Sequence, residues 1–328
     1  ADLTVSTIAL SAGALSDAAG NAMSSFSIAT NLATGSAIIV DGILPTVSTV
    51  TATTADGIYD IGDILAITVI FSEAVIVTGT PQLTLETGTS DAVVNYASGS
   101  ESTTLTFNYT VAAGALSSDL DYGSTTALAL NSGTIADNAG NVATLTLVAP
   151  GETNSLAANK ALVVDGVVPT VSSITSTTAD GTYKQGDAVA ITVTFSEAVT
   201  VTGTPQLTLE TGTTDAVVNY ASGSESTTLT FNYTIAAGEN SSDLDYGSTS
   251  ALALNSGTIA DGAGNAATLT LVAPGETNSL GAGKALVIDG IVPTISSVTS
   301  TTADGTYNPG DVIVITVTFS EAVTVTGT

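Results

Sequence analysis

Apolar and polar residues alternate along much of the chain. In the segment 188–195, every second residue from Val189 to Phe195 is apolar, and the residues between them are Ala or Thr. This period of two predicts a β-strand with one buried face and one exposed face. Similar short segments follow one another, separated by turn-forming Asp-Gly and Gly-Asp pairs. The pattern predicts an antiparallel β-sandwich of immunoglobulin-like type.

The sequence also repeats with a fixed period. The segment Val-Asp-Gly-x-x-Pro-Thr begins at Val40 and Val164, and it returns at Ile288 with Ile in the first place, so the copies lie 124 residues apart. A Phe-Ser-Glu-Ala-Val segment recurs in the same register. Self-similarity of this kind is typical of repeat architectures.

The period predicts the domain organisation. We expect residues 1–40 to be the C-terminal part of one module, 41–164 and 165–288 to be complete modules, and 289–328 to be the N-terminal part of another. The expected fold is all-β, with tandem Ig-like or cadherin-like antiparallel β-sandwich modules in an extended array. Because residues 81–120 have no counterpart at either end, we expect the chain to belong to a larger repetitive protein.

Three repeated motifs carry a resemblance to a known family. They are the linker Val-Asp-Gly-x-x-Pro-Thr, the strand containing Phe-Ser-Glu-Ala-Val and the late loop Asp-x-Ala-Gly-Asn. Together they resemble the bacterial Ig-like tandem repeats of giant surface adhesins, in particular the repeats of the cyanobacterial swimming-motility surface protein. The resemblance implies a β-sandwich fold, an extracellular or cell-surface location, calcium at module junctions and no enzymatic activity.

Charge and composition restrict the possible partners. The 328 residues include 30 Asp and Glu but only 3 Lys and no His, which gives a net charge of −27. With so few cationic side chains to neutralise phosphates, we expect no nucleic-acid partner. The apolar segments are too short and too often interrupted by Ser or Thr to predict membrane insertion. A charge of this size favours bound or screening cations.

Composition also argues against catalysis. The chain has neither His nor Cys, so the common pairs of nucleophile and base are not available. We therefore expect that the chain is not an enzyme. The same composition leaves oxygen atoms as the candidate metal ligands, and oxygen is the ligand that Ca²⁺ prefers in proteins.

Acidic residues occur in the loops expected at the two ends of a module. Glu197 follows the second strand, and Asp261 and Asn265 lie between the last core strands. Asp165 lies in the incoming linker. We predict that such oxygens bind Ca²⁺ at a module junction, together with acidic turns of the opposite end of the neighbouring module. With their repeat equivalents, the predicted calcium ligands are Asp41, Glu73, Asp137, Asn141, Asp165, Glu197, Asp261, Asn265, Asp56, Asp60, Asp63, Asp119, Asp121, Asp289, Glu321, Asp180, Asp187, Asp243 and Asp245.

These acidic residues also have a purely structural interpretation. Asp before Gly is a common turn former, and Asp261 would then make an Asx-turn. Asp165 would end a strand before the bend at Pro169. A carboxylate such as that of Glu197, placed next to an apolar strand, has less reason to be there without a partner.

The sequence leaves three functions open. The first is a structural and adhesive region of a large secreted or cell-surface protein, an extended rod whose modules contact their neighbours and are stiffened by Ca²⁺. The second is a self-assembling extracellular fibre or surface layer, in which modules of other copies pack laterally. The third is a carbohydrate-binding repeat, which the absence of Trp disfavours.

Overall fold

The chain folds into two compact units, Ala1–Asp165 and Gly166–Thr328. In both units the regular secondary structure is almost entirely β-strand, in curled, mainly antiparallel sheets. This confirms the all-β prediction and is consistent with the β-sandwich class. The residues described by the computed structural model are 4–23, 25–28, 30–35 and 38–327.

Short strands and two helical turns make up the first unit. Its strands are β1 Val47–Ala52, β2 Gly57–Tyr59, β3 Ile64–Thr78, β4 Gln82–Leu85, β5 Ala92–Ser98, β6 Ser102–Thr110, β7 Leu116–Ser117, β8 Leu128–Ala129, β9 Thr134–Ala136 and β10 Leu162–Asp165. Its helices are α1 Leu32–Gly35 and α2 Leu156–Asn159. The Ser155 hydroxyl caps α2 by accepting the Ala158 N–H at 3.2 Å, as a short polar N-cap residue does.

The second unit has a closely similar set of elements. Its strands are β11 Val171–Ser176, β12 Gly181–Lys184, β13 Ala188–Thr202, β14 Gln206–Glu210, β15 Ala216–Ser222, β16 Ser226–Thr234, β17 Asn240–Ser241, β18 Asp245–Tyr246, β19 Leu252–Ala253, β20 Thr258–Ala260, β21 Leu286–Asp289, β22 Ile295–Ser300 and β23 Ile315–Phe319. Its helix is α3 Leu280–Gly283. β22 and β23 form a separate two-stranded sheet.

The long strand β3 changes partners along its length. The larger sheet of the first unit has the order β1-β3-β6-β5-β4-β8, and β9 also pairs with β3. β3 pairs with β6 over residues 64–70 and, after a shift of register, again at Val75, and it then pairs with β9 over residues 76–78. In the second unit, β13 divides its pairing between β16 and β20 in the same way. Residues 71–74 therefore form a crossover region, in which the register with β6 shifts just before the strand changes partner.

A smaller sheet in each unit departs from the purely antiparallel prediction. β10 pairs with β2 in parallel, with Leu162 opposite Gly57, and it pairs with β7 antiparallel. β21 lies between β12 and β17 with the same directions. β2 and β10 come from opposite ends of the unit's sequence, so no hairpin turn fixes their relative direction.

Each unit has its own apolar core. In the first unit, Leu65, Ile67 and Val69 of β3 are fully buried, as their alternation with less apolar residues predicts. Phe107 of β6 is also fully buried, and its ring packs edge to face with Tyr96 at a centroid distance of 6.2 Å. Across the part of the chain that is described, no helix is long and apolar enough to cross a membrane.

Candidate metal centre

Glu73 lies in the crossover region of β3, where the register with β6 shifts just before the strand begins to pair with β9. The strand therefore continues through this glutamate, whereas the sequence pattern predicted that the strand ends before it. Glu73 is half-buried. Its Oε1 is inaccessible, and no donor among the described residues forms a hydrogen bond with it. A buried carboxylate oxygen without a donor is unusual in a folded protein.

Asp137 begins the Asp-x-Ala-Gly-Asn loop that follows β9. Its Oδ1 accepts the N–H groups of Ala139 and Asn141, both at 2.8 Å. Asn141 Nδ2 donates to Asp137 Oδ2 at 2.7 Å. These bonds form an Asx-type turn. They fix the carboxylate at the end of β9, where it is only 5% exposed.

Asp41 brings a third carboxylate to the same place. One carboxylate oxygen from each of Asp41, Glu73 and Asp137 lies within 4.8 Å of the other two. Asn141 Nδ2 also donates to the Asp41 backbone oxygen at 3.2 Å. Asp41 Oδ1 accepts the Ile43 N–H at 3.2 Å. The structure thus brings together four of the predicted ligands of the first unit.

The three carboxylates differ in their electrostatic environment. Burial, together with the negative charges of Asp41 and Asp137, raises the pKa of Glu73. Burial also acts to raise the pKa of Asp137, but the hydrogen bonds from Asn141, Ala139 and Gly140 outweigh it and hold that pKa below its usual value. Asp137 is therefore stabilised as an anion. Glu73 is the member of the set that gains most from a proton or a cation.

A serine that the sequence analysis did not select holds the linker beside these carboxylates. Ser72 Oγ accepts the Thr46 N–H at 3.0 Å, and the Ser72 N–H donates to the Thr46 oxygen at 2.9 Å. The bond to the hydroxyl recurs at Ser196 and Ser320, at 3.0 and 2.9 Å. The sequence signal that could have identified this serine is its recurrence directly before the glutamate in each repeat.

The second unit repeats the loop and the glutamate. Glu197 lies within β13, in the crossover between its two partners. Asp261 Oδ1 accepts three N–H groups, including that of Asn265 at 2.9 Å, and Asn265 Nδ2 donates to Asp261 Oδ2 at 2.8 Å. Asp165 is the last residue of β10 in the first unit, opposite Leu116.

Two further predicted ligands lie near the end of the chain. Asp289 is the last residue of β21, and its Oδ1 accepts the Ile291 N–H at 3.3 Å. Glu321 is half-buried, and its Oε1 is inaccessible and receives no hydrogen bond from the residues that the structure describes. Glu321 thus resembles Glu73, because both side chains are half-buried and both have an inaccessible Oε1.

An exposed copy of the Asp-x-Ala-Gly-Asn loop shows what the loop does by itself. Asp17 Oδ1 accepts the N–H groups of Ala19 and Asn21 at 3.0 and 2.9 Å, and Asn21 Nδ2 donates to Asp17 Oδ2 at 2.8 Å. The same turn therefore forms where the aspartate is exposed to solvent. Asp137 and Asp261 therefore have a structural role in their own loops. The candidate metal centre at Asp137 depends on the carboxylates that Glu73 and Asp41 add to it.

Two of the other predicted carboxylates form ion pairs. Asp56 Oδ1 lies 3.1 Å from Lys160 Nζ, and Asp180 Oδ1 lies 3.5 Å from Lys284 Nζ. These aspartates are mostly exposed, with 61% and 60% of their side-chain surface accessible. They hold the segment after α2 or α3 against the turn before β2 or β12.

Most of the remaining predicted carboxylates lie in turns or loops, and Asp245 begins β18. Asp63 Oδ2 accepts the Asp60 N–H at 3.2 Å, and Asp187 has the equivalent bond to its own turn at 3.0 Å. Asp121 Oδ2 accepts the Gly151 N–H at 2.9 Å, and Asp245 repeats this contact. Among the described residues, no group of three carboxylates at metal-binding distance includes the following: Asp56, Asp60, Asp63, Asp119, Asp121, Asp180, Asp187, Asp243 and Asp245.

Comparison with known proteins adds no family to this picture. The chain matches no family model and shows no significant similarity to a curated protein.

Proposed function

We propose that the chain is a structural and adhesive repeat region of a large secreted or cell-surface protein, built from tandem Ig-like modules and forming an extended rod with Ca²⁺ at the module junctions. The observation that carries the proposal is the state of Glu73. Its buried Oε1 receives no hydrogen bond from any described residue, and it lies between two aspartates.

The charge of the site supports a cation. Three carboxylates lie together with no positive side chain among them, in a chain of net charge −27. Without a counter-ion, burial and the repulsion from the two aspartates raise the pKa of Glu73. A bound cation would remove the repulsion and would satisfy the buried oxygen.

The chemistry of the ligands supports calcium. All the groups offered are oxygen atoms, which suits Ca²⁺ better than softer metals. Asp41 Oδ2 and the two Glu73 oxygens accept no hydrogen bond from the described residues, and Asp137 is held as an anion by its turn. The carboxylates would supply the charged part of a six- to eight-oxygen shell, with water or backbone oxygens completing it.

The position of Asp41 connects the site to stiffness. The linker is already tied to the unit at Pro45, whose oxygen accepts the Thr144 N–H at 2.8 Å, and at Thr46. Asp41 lies four residues earlier in the linker, beyond these bonds. When Asp41 shares a cation with Glu73 and Asp137, a longer part of the linker becomes fixed to the end of the module.

The test compares two variants that each remove one negative charge. In calcium, Glu73→Gln is expected to lower the thermal midpoint of unfolding, because it removes a ligand. In chelator, the same change is expected to leave the midpoint unchanged or raise it, because it removes repulsion. Glu152→Gln is the control, since Glu152 is exposed and lies outside the site.

Calcium is also expected to act on the shape of the whole chain. Small-angle scattering should give a longer maximum dimension in calcium than in chelator for the wild type but not for Glu73→Gln. If chelation changes neither the thermal midpoint nor the scattering of the wild type, the calcium part of the proposal is wrong.

One observation favours the alternative of a laterally assembling fibre. Val93 of β5 and Val217 of β15 are 58% and 56% exposed at equivalent positions of the two units. Repeated apolar positions on an outer sheet face are suited to contacts between copies. Polymers of the purified chain in negative-stain microscopy would support the fibre, whereas a monodisperse monomer supports the rod.

A further inference from the structure

A buried hydroxyl in the first unit has no hydrogen-bond partner. Tyr109 of β6 is only 4% exposed, and no described residue completes a hydrogen bond with its Oη. The nearby Thr87 hydroxyl donates to the Ser90 oxygen at 2.8 Å, so its proton is already used. A buried phenol group normally finds a partner, because losing its bonds to water is costly.

The second unit shows which group satisfies this position. Tyr233 lies 124 residues after Tyr109, and its Oη donates to Glu239 Oε2 at 2.7 Å. The Ala236 N–H donates to the same carboxylate oxygen at 2.6 Å. The two donors thus form a small site for a carboxylate. The residue of the first unit that corresponds to Glu239 is Ala115, which has no carboxylate.

The two loops share their internal backbone hydrogen bonds, and in the second unit Gly290 also donates its N–H to the Glu239 backbone oxygen at 2.7 Å. The Ala115 N–H donates to the Ala112 oxygen at 3.1 Å, and the Glu239 N–H makes the equivalent bond at 3.4 Å. The next residue, Leu116, donates its N–H to the Thr87 oxygen at 3.0 Å, and the equivalent bond in the second unit measures 2.9 Å. The donors of the first unit are therefore placed as they are around Glu239.

The Ala112 N–H is the second donor of the first unit. Burial raises the pKa of Tyr109, and the neighbouring Ala112 N–H acts to lower it. The Ala112 N–H therefore lies on the hydroxyl side of the ring. It corresponds by position to the Ala236 N–H that binds Glu239 in the second unit.

A cavity lies beside Tyr109. Its volume is about 300 Å³, and it is lined by Thr87, Asp91, Tyr109 and the loop 112–115. This space is large enough for a small organic acid. Asp91 disfavours an anion here, but the second unit holds Glu239 with Asp215 at the equivalent position, so the arrangement tolerates a carboxylate.

We propose that the first unit binds a carboxylate group from outside the unit at Tyr109 Oη and the Ala112 N–H, in the place that Glu239 fills in the second unit. The ligand class is a small carboxylic acid or the side chain of an acidic residue. In the second unit the carboxylate of Glu239 already occupies this place. This site is separate from the acidic centre at Glu73, and the proposal does not rest on calcium binding.

Sodium acetate is the first probe, and the backbone amide resonances of the two loops are the readout. Acetate is expected to shift the Ala112 resonance of the wild type in a saturable manner and to leave Ala236 unchanged. Sodium chloride at equal ionic strength is the control for charge screening. A blocked glutamate, with its α-amino and α-carboxyl groups capped, distinguishes a side-chain ligand from a free acid, according to which binds more tightly.

Three variants make the test decisive. Ala115→Glu should abolish the acetate response at Ala112, because it supplies the carboxylate internally. Tyr109→Phe should weaken the response at least severalfold by removing one donor. Glu239→Ala should create a second response, at Ala236, and this variant keeps the test valid if Ala115→Glu fails to fold. An Ala112 shift that chloride reproduces, or that persists in folded Ala115→Glu, would overturn the proposal.

Discussion

Removing the Phe107 ring should destabilise one unit and leave the other unchanged. The ring is fully buried in the core of the first unit and packs edge to face with Tyr96. The second unit has its own core, in which Phe231 and Tyr220 make the same contact at 6.2 Å. The substitution Phe107→Ala therefore perturbs one of two closely matched cores, and the second unit serves as an internal reference.

The expected loss follows from the burial of the ring. A buried phenylalanine removes roughly 200 Å² of surface from water, which at about 25 cal/mol per Å² corresponds to about 5 kcal/mol. Measured Phe→Ala changes in protein cores fall at about 3–5 kcal/mol. We expect about 4 kcal/mol. For a unit of this size, each kcal/mol lowers the melting temperature by about 2–4 °C, so the expected shift is about 8–16 °C.

Differential scanning calorimetry in chelator measures this shift without interference from metal binding. The wild type should melt in closely overlapping transitions, and Phe107→Ala should separate one of them by the amount above. Phe231→Ala should produce the same pattern from the other unit, and the double variant should again melt in overlapping transitions, at the lower temperature. Equal movement of both transitions in Phe107→Ala, or a shift of less than about 3 °C, would refute the reasoning.

Two further predictions concern pH and ion pairing. Burial, and secondarily the adjacent aspartate, raises the pKa of Tyr122 and of Tyr246 to about 12. Since an unfolded tyrosine titrates near 10, their contribution to stability should be present below about pH 10 and lost from about pH 10 to 12. A tyrosinate absorbance titration with one step near 10 for all 9 tyrosines would contradict this. Lys160→Met, which removes the ion pair with the exposed carboxylate of Asp56, should not change the denaturation midpoint measurably, and a clear loss would show that the pair matters.

The strand pattern was predictable because burial acts on every second residue. The alternation of apolar residues over 188–195 correctly predicted a strand there, since β13 and its repeat equivalent β3 each have one face in the core. The same alternation could not show that β3 shifts register over residues 71–74 and then changes partner, because its buried positions continue on both sides of the crossover. For this reason Glu73 was expected after the strand and lies within it.

The parallel pairing of β2 and β10 was not predictable from periodicity. A period of two specifies which face of a strand is buried but not which strand lies beside it. The two strands are short, and one begins at Gly57 while the other begins at Leu162. Only the folded chain brings them together.

The candidate site was predictable in part. Motif spacing selected Asp41, Glu73, Asp137 and Asn141, which lie together in the structure. It also selected Asp56 because acidic turns were expected at the opposite end of a module, but that carboxylate pairs with Lys160. The sequence shows which residues are charged but not which residues contact them. The difference between Ala115 and Glu239 could be interpreted only once the structure showed that Tyr233 donates a hydrogen bond to Glu239.

The most direct test of the account is the number of calcium ions bound by the chain and by Glu73→Gln, measured by equilibrium dialysis at millimolar calcium, with Glu152→Gln as the control. We predict that the wild type and the control bind calcium equally and that Glu73→Gln binds one ion fewer. The account is contradicted if the wild type binds no calcium, or if Glu73→Gln binds as many ions as the wild type with the same affinity.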